Sequence, residues 1–122
     1  MVPNRPYLQF ITQTERIWGE MPCHERLVLI AVLKHSTTRS ELLRAMDLIN
    51  LSEIGSPATI HGAIKRLKVG HYLKLTAITG DQRIKAVSFT SKSQMLFKRL
   101  ERLVAESIRH KSRALANTAR HQ

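Results

Sequence analysis

With 122 residues, 43% of them hydrophobic, the chain has room for one domain around one hydrophobic core and an additional helix at an end, and a second folded domain is not expected. No apolar run approaches the roughly 18 residues of a membrane span, and the single cysteine, Cys23, leaves nothing for an internal disulfide or a cysteine-based zinc cluster. The net charge of +11 points to a polyanion such as nucleic acid, and all of it falls in residues 56–122, which hold 14 basic and 3 acidic side chains against 6 of each in residues 1–55.

The start of the chain, MVPNRPYLQF, has no charged segment leading into an apolar stretch and a small-residue cleavage site; a cytoplasmic location is the expectation. Residues 7–18 place Tyr7, Phe10, Ile11, Thr14 and Trp18 near one helical face, the spacing of an amphipathic helix. Gly19 and Pro22 interrupt it. A second helix is expected from about Cys23 to His35, buried because Leu27, Val28, Leu29, Ile30, Val32 and Leu33 run almost all round it. Cys23 itself reads as a small buried apolar residue rather than a redox thiol, since no resolving cysteine exists. Thr38 and Glu41 have the spacing of a capping box and predict a short helix to about Asp47.

The segment LINLSEIGS follows as a connection. Ser56-Pro57 then combines an N-cap hydroxyl with a proline that wastes no amide, and predicts a helix over residues 57–69 that ends at Gly70. Ile60, Ile64 and Leu67 form its inward stripe, leaving His61, Lys65 and Lys68 outward. HYLKLTAIT and QRIKAVSFT, separated by Gly80-Asp81, alternate apolar and polar residues as a β-hairpin does. Leu73, Leu75, Val87 and Phe89 are its expected inward residues, with Arg83 and Lys85 near the exposed tip. Ser91 and Gln94 suggest a capping box for a long last helix to about Arg113, striped by Leu96, Leu100, Leu103, Val104 and Ile108, with a frayed basic tail beyond.

Helix, helix, helix, hairpin is the order of a winged helix-turn-helix, in which the third helix enters the major groove and the hairpin is the wing. The expected fold is therefore mainly α with a small β-hairpin. An N-terminal helix segment (residues 1–20) and a C-terminal helix (residues 91–122) flank a winged helix-turn-helix over residues 21–90. The third helix and the hairpin carry six basic residues and one acid, Asp81. The candidate DNA contacts are Ser56, Thr59, His61, Lys65, Arg66, Lys68, Arg83 and Lys85. Taken alone, Asp81 is an ordinary turn residue, Arg83 a solvated charge, and His61 as readily a solvated side chain as a donor to a base.

The stretch SPATIHGAIKRLKVGHYLKLTAITGDQRIKAVSFTSKS, about a third of the chain, resembles the winged-helix core of the MarR family of bacterial transcriptional regulators. Ser56 through Leu67 match the recognition helix, Gly70 the helix-to-strand corner, and Asp81-Gln82-Arg83 the acidic-x-basic wing motif. Val87 and Thr90 match the strand leading into the next helix. The resemblance implies that Arg83 enters a minor groove while Asp81 stabilises the wing. LINLSEIGS is longer than the usual turn of that family, and Gly62 stands where a longer polar side chain is common.

Catalysis has no candidate residues: no nucleophile signature, phosphate loop or dinucleotide fingerprint is present. The six histidines show no metal-ligand spacing, and neither a metal nor a cofactor is expected. The expected partner is double-stranded DNA, with a homodimer through Leu96, Leu100, Leu103, Val104 and Ile108. No membrane association is expected, and the sequence names no small-molecule effector. A sequence-specific transcriptional regulator acting by promoter occupancy is the leading expectation. A plasmid or phage replication or maintenance factor would use the same contacts, and a winged-helix protein-interaction module is the rival from another class.

Overall fold

The computed structural model describes residues 5–38, 42–78 and 80–120, with side chains through residue 109. The element order is α1 (Pro6–Trp18), α2 (Cys23–Thr38), α3 (Ala45–Ile49), α4 (Pro57–Val69), β1 (Leu73–Ile78), β2 (Asp81–Phe89) and α5 (Ser91–Arg120). It divides into two units, residues 20–94 and residues 1–19 with 95–122.

In the first of these units, α4 packs on α2, α3 and β1, and α3 packs on β2. The core is Val28, Leu29 and Val32 of α2, Leu43 and Leu48 around α3, and Ile60, Ala63, Ile64 and Leu67 of α4, closed by Leu73 and Val87 of the hairpin. Leu29, Leu48, Ile60 and Leu67 are fully buried, and each such side chain contributes about 2 kcal/mol by leaving water. The inward stripe read for α4 is thus the centre of the unit. Helix α2 is one-sided rather than apolar all round, for Leu27 is exposed. It also runs on to Thr38, beyond the expected His35. Cys23 is exposed, not buried, because it is the first residue of α2 at the helix's outer end.

Thr38 is the last residue of α2 and caps no following helix, and Arg39, Ser40 and Glu41 of the expected capping box lie outside the described residues. Helix α3 begins later than expected, at Ala45, where the Arg44 N–H donates to Asp47 Oδ2 at 3.1 Å. The residues before it join the sheet: Arg44 bridges Ala86, and the Val87 N–H donates to the Leu43 carbonyl at 2.7 Å. Because α3 continues through Ile49, with Leu48 in the core, LINLSEIGS is part helix, and the connection to α4 shortens to residues 50–56.

β1 and β2 pair antiparallel with Leu73 opposite Phe89 and Leu75 opposite Val87, which puts the four expected inward residues on one face. The ladder then shifts: Ala77 pairs with Lys85, but Ile78 pairs with Asp81. Residues 82–84 therefore stand out of the pairing, an irregularity of the β-bulge kind beside Arg83.

Helix α5 starts one residue earlier in its capping than Ser91 and Gln94 suggest. Thr90 Oγ1 accepts from the Ser93 N–H at 3.3 Å and Ser93 Oγ accepts from the Thr90 N–H at 2.9 Å, the reciprocal pattern of a capping box. Its other end is Arg120 rather than Arg113; residues 114–120 contain alanine, leucine and arginine and neither glycine nor proline, a composition that sustains a helix. In the second unit, the Trp18 and Phe97 rings meet edge to face at 6.0 Å between centroids. Helix α1 has no buried residue.

Candidate nucleic-acid interface

The outward side of α4 is built by its start and by its stripe. Ser56 Oγ accepts from the Thr59 N–H at 3.2 Å and Pro57 follows at the first helical position. With Ile60, Ala63, Ile64 and Leu67 turned into the core, the 3.6-residue period leaves Ala58, His61, Lys65, Arg66, Lys68 and Val69 exposed. Ser56 is exposed and Thr59 half-buried, their hydroxyls 2.9 Å apart. Of the predicted contacts on this helix, His61, Lys65 and Lys68 are exposed as expected.

Arg66 is placed differently from its neighbours. Its Nε donates to Oε1 of Glu25 near the start of α2, a carboxylate with 4% of its side chain exposed, while the Arg66 side chain is 61% exposed. The sequence reading did not single out Glu25. Glu25 stands between His24 and Arg26 just before the apolar run that starts at Leu27, where an acid carries no distinctive signal, and the partner lies 41 residues on.

The corner after α4 also departs from expectation. Gly70 has φ −78°, an ordinary right-handed value, and the residue with positive φ is His71 at 65°. The Tyr72 N–H donates to the Leu67 carbonyl at 2.8 Å and the His71 N–H to the Lys68 carbonyl at 3.1 Å, the pair of bonds that closes a helix around a left-handed residue. Lys92 reinforces this corner: its Nζ donates to the Gly70 carbonyl at 3.0 Å and lies 4.4 Å from the Tyr72 ring centroid.

In the wing, Asp81 Oδ1 accepts from the Arg83 N–H at 2.9 Å and stands 3.6 Å from Arg83 Nε. The Arg83 side chain is 93% exposed, so the ion pair is screened by water and contributes little, whereas the backbone bond constrains the tip. Lys85 is half-buried. Along α5, Leu96 and Leu103 are buried and Leu100 is half-buried, while Val104 and Ile108 are exposed. Among the described residues, no group of three histidine, cysteine, aspartate or glutamate side chains is placed to hold a metal ion, and no helix is long and apolar enough to cross a membrane.

No family model matches the sequence, and no curated protein matches it. Solved structures do. The transcriptional regulator Tm0710 from Thermotoga maritima is similar with a TM-score of 0.61 at 16% identity, over 94% of this chain and 84% of that one. A MarR transcriptional regulator from Methanosarcina mazei gives 0.55 at 16%, over 94% and 86%. Sco3205, a MarR family regulator from Streptomyces coelicolor solved in complex with DNA, gives 0.51 at 14%, over 93% and 82%. The similarity spans nearly the whole chain, α1 and α5 included. The chain has the winged helix-turn-helix fold of the MarR-family transcriptional regulators.

Proposed function

We propose that the protein is a sequence-specific double-stranded DNA-binding transcriptional regulator that acts by occupying promoter DNA, and that it is not an enzyme. The observation that carries the reading is the charge of its exposed reading elements: His61, Lys65 and Lys68 on the outward side of α4, and Arg83 at 93% exposure on the wing. Major-groove base edges offer acceptors to such donors, and a narrow minor groove concentrates the negative potential that a guanidinium exploits. A protein of the same fold solved in complex with DNA supports DNA as the partner. Asp81 stabilises the wing by accepting from the Arg83 backbone.

The division of labour follows the charge. Residues 21–90 bind DNA, and α1 with α5 joins two copies, so that two α4 helices meet half-sites about one helical turn apart. Tyr7, Met95 and Ile108, at 76%, 65% and 62% exposure, support a seam there, since a single chain leaves these large apolar side chains in water. Lys65→Ala and Arg83→Ala should each weaken duplex binding, the first with loss of major-groove protection and the second with loss of minor-groove protection. Arg83→Lys should recover little, because a lysine lacks the planar fork. Footprints unchanged in both alanine variants would overturn the assignment.

A further inference from the structure

Gly62 and Arg66 lie one turn apart on α4, and the gap left by the first is occupied by the second. A Cβ built on Gly62 would stand 3.3 Å from Arg66 Nη1 and 3.9 Å from Cζ and Nη2. The guanidinium therefore lies across bare helix backbone, on the side of α4 that also carries the exposed Ala58 and Lys65. It is gripped from behind by Glu25, whose Oε1 takes the Nε hydrogen, and whose Oε2 is buried with no hydrogen-bond partner among the described residues. That carboxylate has strong reason to keep its arginine, because a buried charge without a partner is costly.

A guanidinium held at Nε keeps a second edge free, the paired hydrogens of Nη1 and Nη2. Two parallel donors at fixed spacing match the O6 and N7 acceptors of guanine, and the match improves when the arginine cannot wander. We propose that Glu25 and Gly62 make Arg66 a buttressed guanine reader. Glu25 fixes the plane through Nε, Gly62 leaves room for it, and the Nη1/Nη2 edge donates to one guanine in each half-site. Arg66 touches DNA; Glu25 and Gly62 are positioning residues. Gly62 is then no loss of base readout, since the side chain that reads from its position belongs to Arg66.

The inference rests on the DNA-binding reading, and the experiment separates the two. Duplexes bound by the wild-type protein are selected from a random pool, and affinities are measured for the selected site and for the same site with each guanine replaced by adenine. The wild type should prefer guanine at one fixed position per half-site by about tenfold, the range of a bidentate contact. Arg66→Lys keeps the positive charge beside Glu25 but has no fork, and should reduce the preference at that position to under about twofold. Glu25→Gln and Gly62→Ala, each verified as folded by its melting curve, should reduce the same preference and no other, a change that a merely structural role would not produce. If Arg66→Lys leaves the guanine preference unchanged while Arg66→Ala weakens all sequences equally and lowers the salt slope, Arg66 is a phosphate contact and the inference fails while DNA binding stands. Unchanged guanine preference in Glu25→Gln and Gly62→Ala overturns the buttress. A wild-type protein that binds no duplex overturns both readings.

Discussion

His71 holds the left-handed position after α4 with φ 65° and an exposed side chain, where a Cβ costs about 1–2 kcal/mol that glycine does not incur. Glycine also loses more freedom on folding, so His71→Gly should stabilise the protein by about 0.5–1 kcal/mol net, read as a higher melting temperature; an unchanged or lower one contradicts the strain. The bond from Thr90 Oγ1 to the His71 carbonyl, at 2.6 Å, survives because it uses the backbone. Gly62→Ala separates two effects at one position. Alanine favours a helix interior by about 0.5–1 kcal/mol, but its Cβ would press at 3.3 Å on the Arg66 Nη1 of a guanidinium that Glu25 holds, so the two effects oppose and stability should change little while guanine preference falls. Neither residue could be understood from its neighbours in sequence. Gly70 beside His71 attracts the helix-stop reading to itself, and the use of Gly62 depends on Glu25 across the fold.

At the scale of elements, capping decides where helices begin, and it was legible only where the signal was unique. Ser56-Pro57 has no competitor nearby, and the helix predicted over residues 57–69 is α4 as observed. Before α5, Thr90, Ser91 and Ser93 all offer hydroxyls, and the spacing rule selected Ser91 with Gln94. Thr90 prevails because its hydroxyl also donates to the His71 carbonyl, joining the corner after α4 to the start of α5. Thr90→Ala should therefore cost about 1 kcal/mol or more, and Ser91→Ala under about 0.5 kcal/mol. Equal losses in chemical denaturation would contradict the assignment. Helix α3 was misplaced for a tertiary reason: residues 43 and 44 bond to β2, and nothing in their own alternation announces a strand. The hairpin's inward residues were legible from period two, but its register shift beside Arg83 was not.

Across the whole molecule, the order of elements carried the fold, and the one-sided distribution of charge carries the proposed class of partner; both are properties of long stretches that a local error cannot disturb. Contacts between distant residues, such as Arg66 with Glu25, leave no such trace. The proposed homodimer can be tested without touching residues 20–94. Leu103 is buried in the single chain, so a polar residue there should cost stability whether or not two copies meet. Val104 and Ile108 are exposed; replacing both by glutamate should leave the melting temperature of the single chain nearly unchanged and shift the mass by light scattering from dimer to monomer. A wild-type mass of one chain at high micromolar concentration would contradict the dimer. Whether the positive charge of residues 56–122 serves duplex DNA is decided by a salt series on a random duplex. Each phosphate neutralised should add about 0.9 to the fall of log K against log salt. If duplex DNA is the partner, the slope should be several units and become shallower in Lys65→Ala and in Arg83→Ala. A near-flat dependence, or no binding even at low salt, would contradict it.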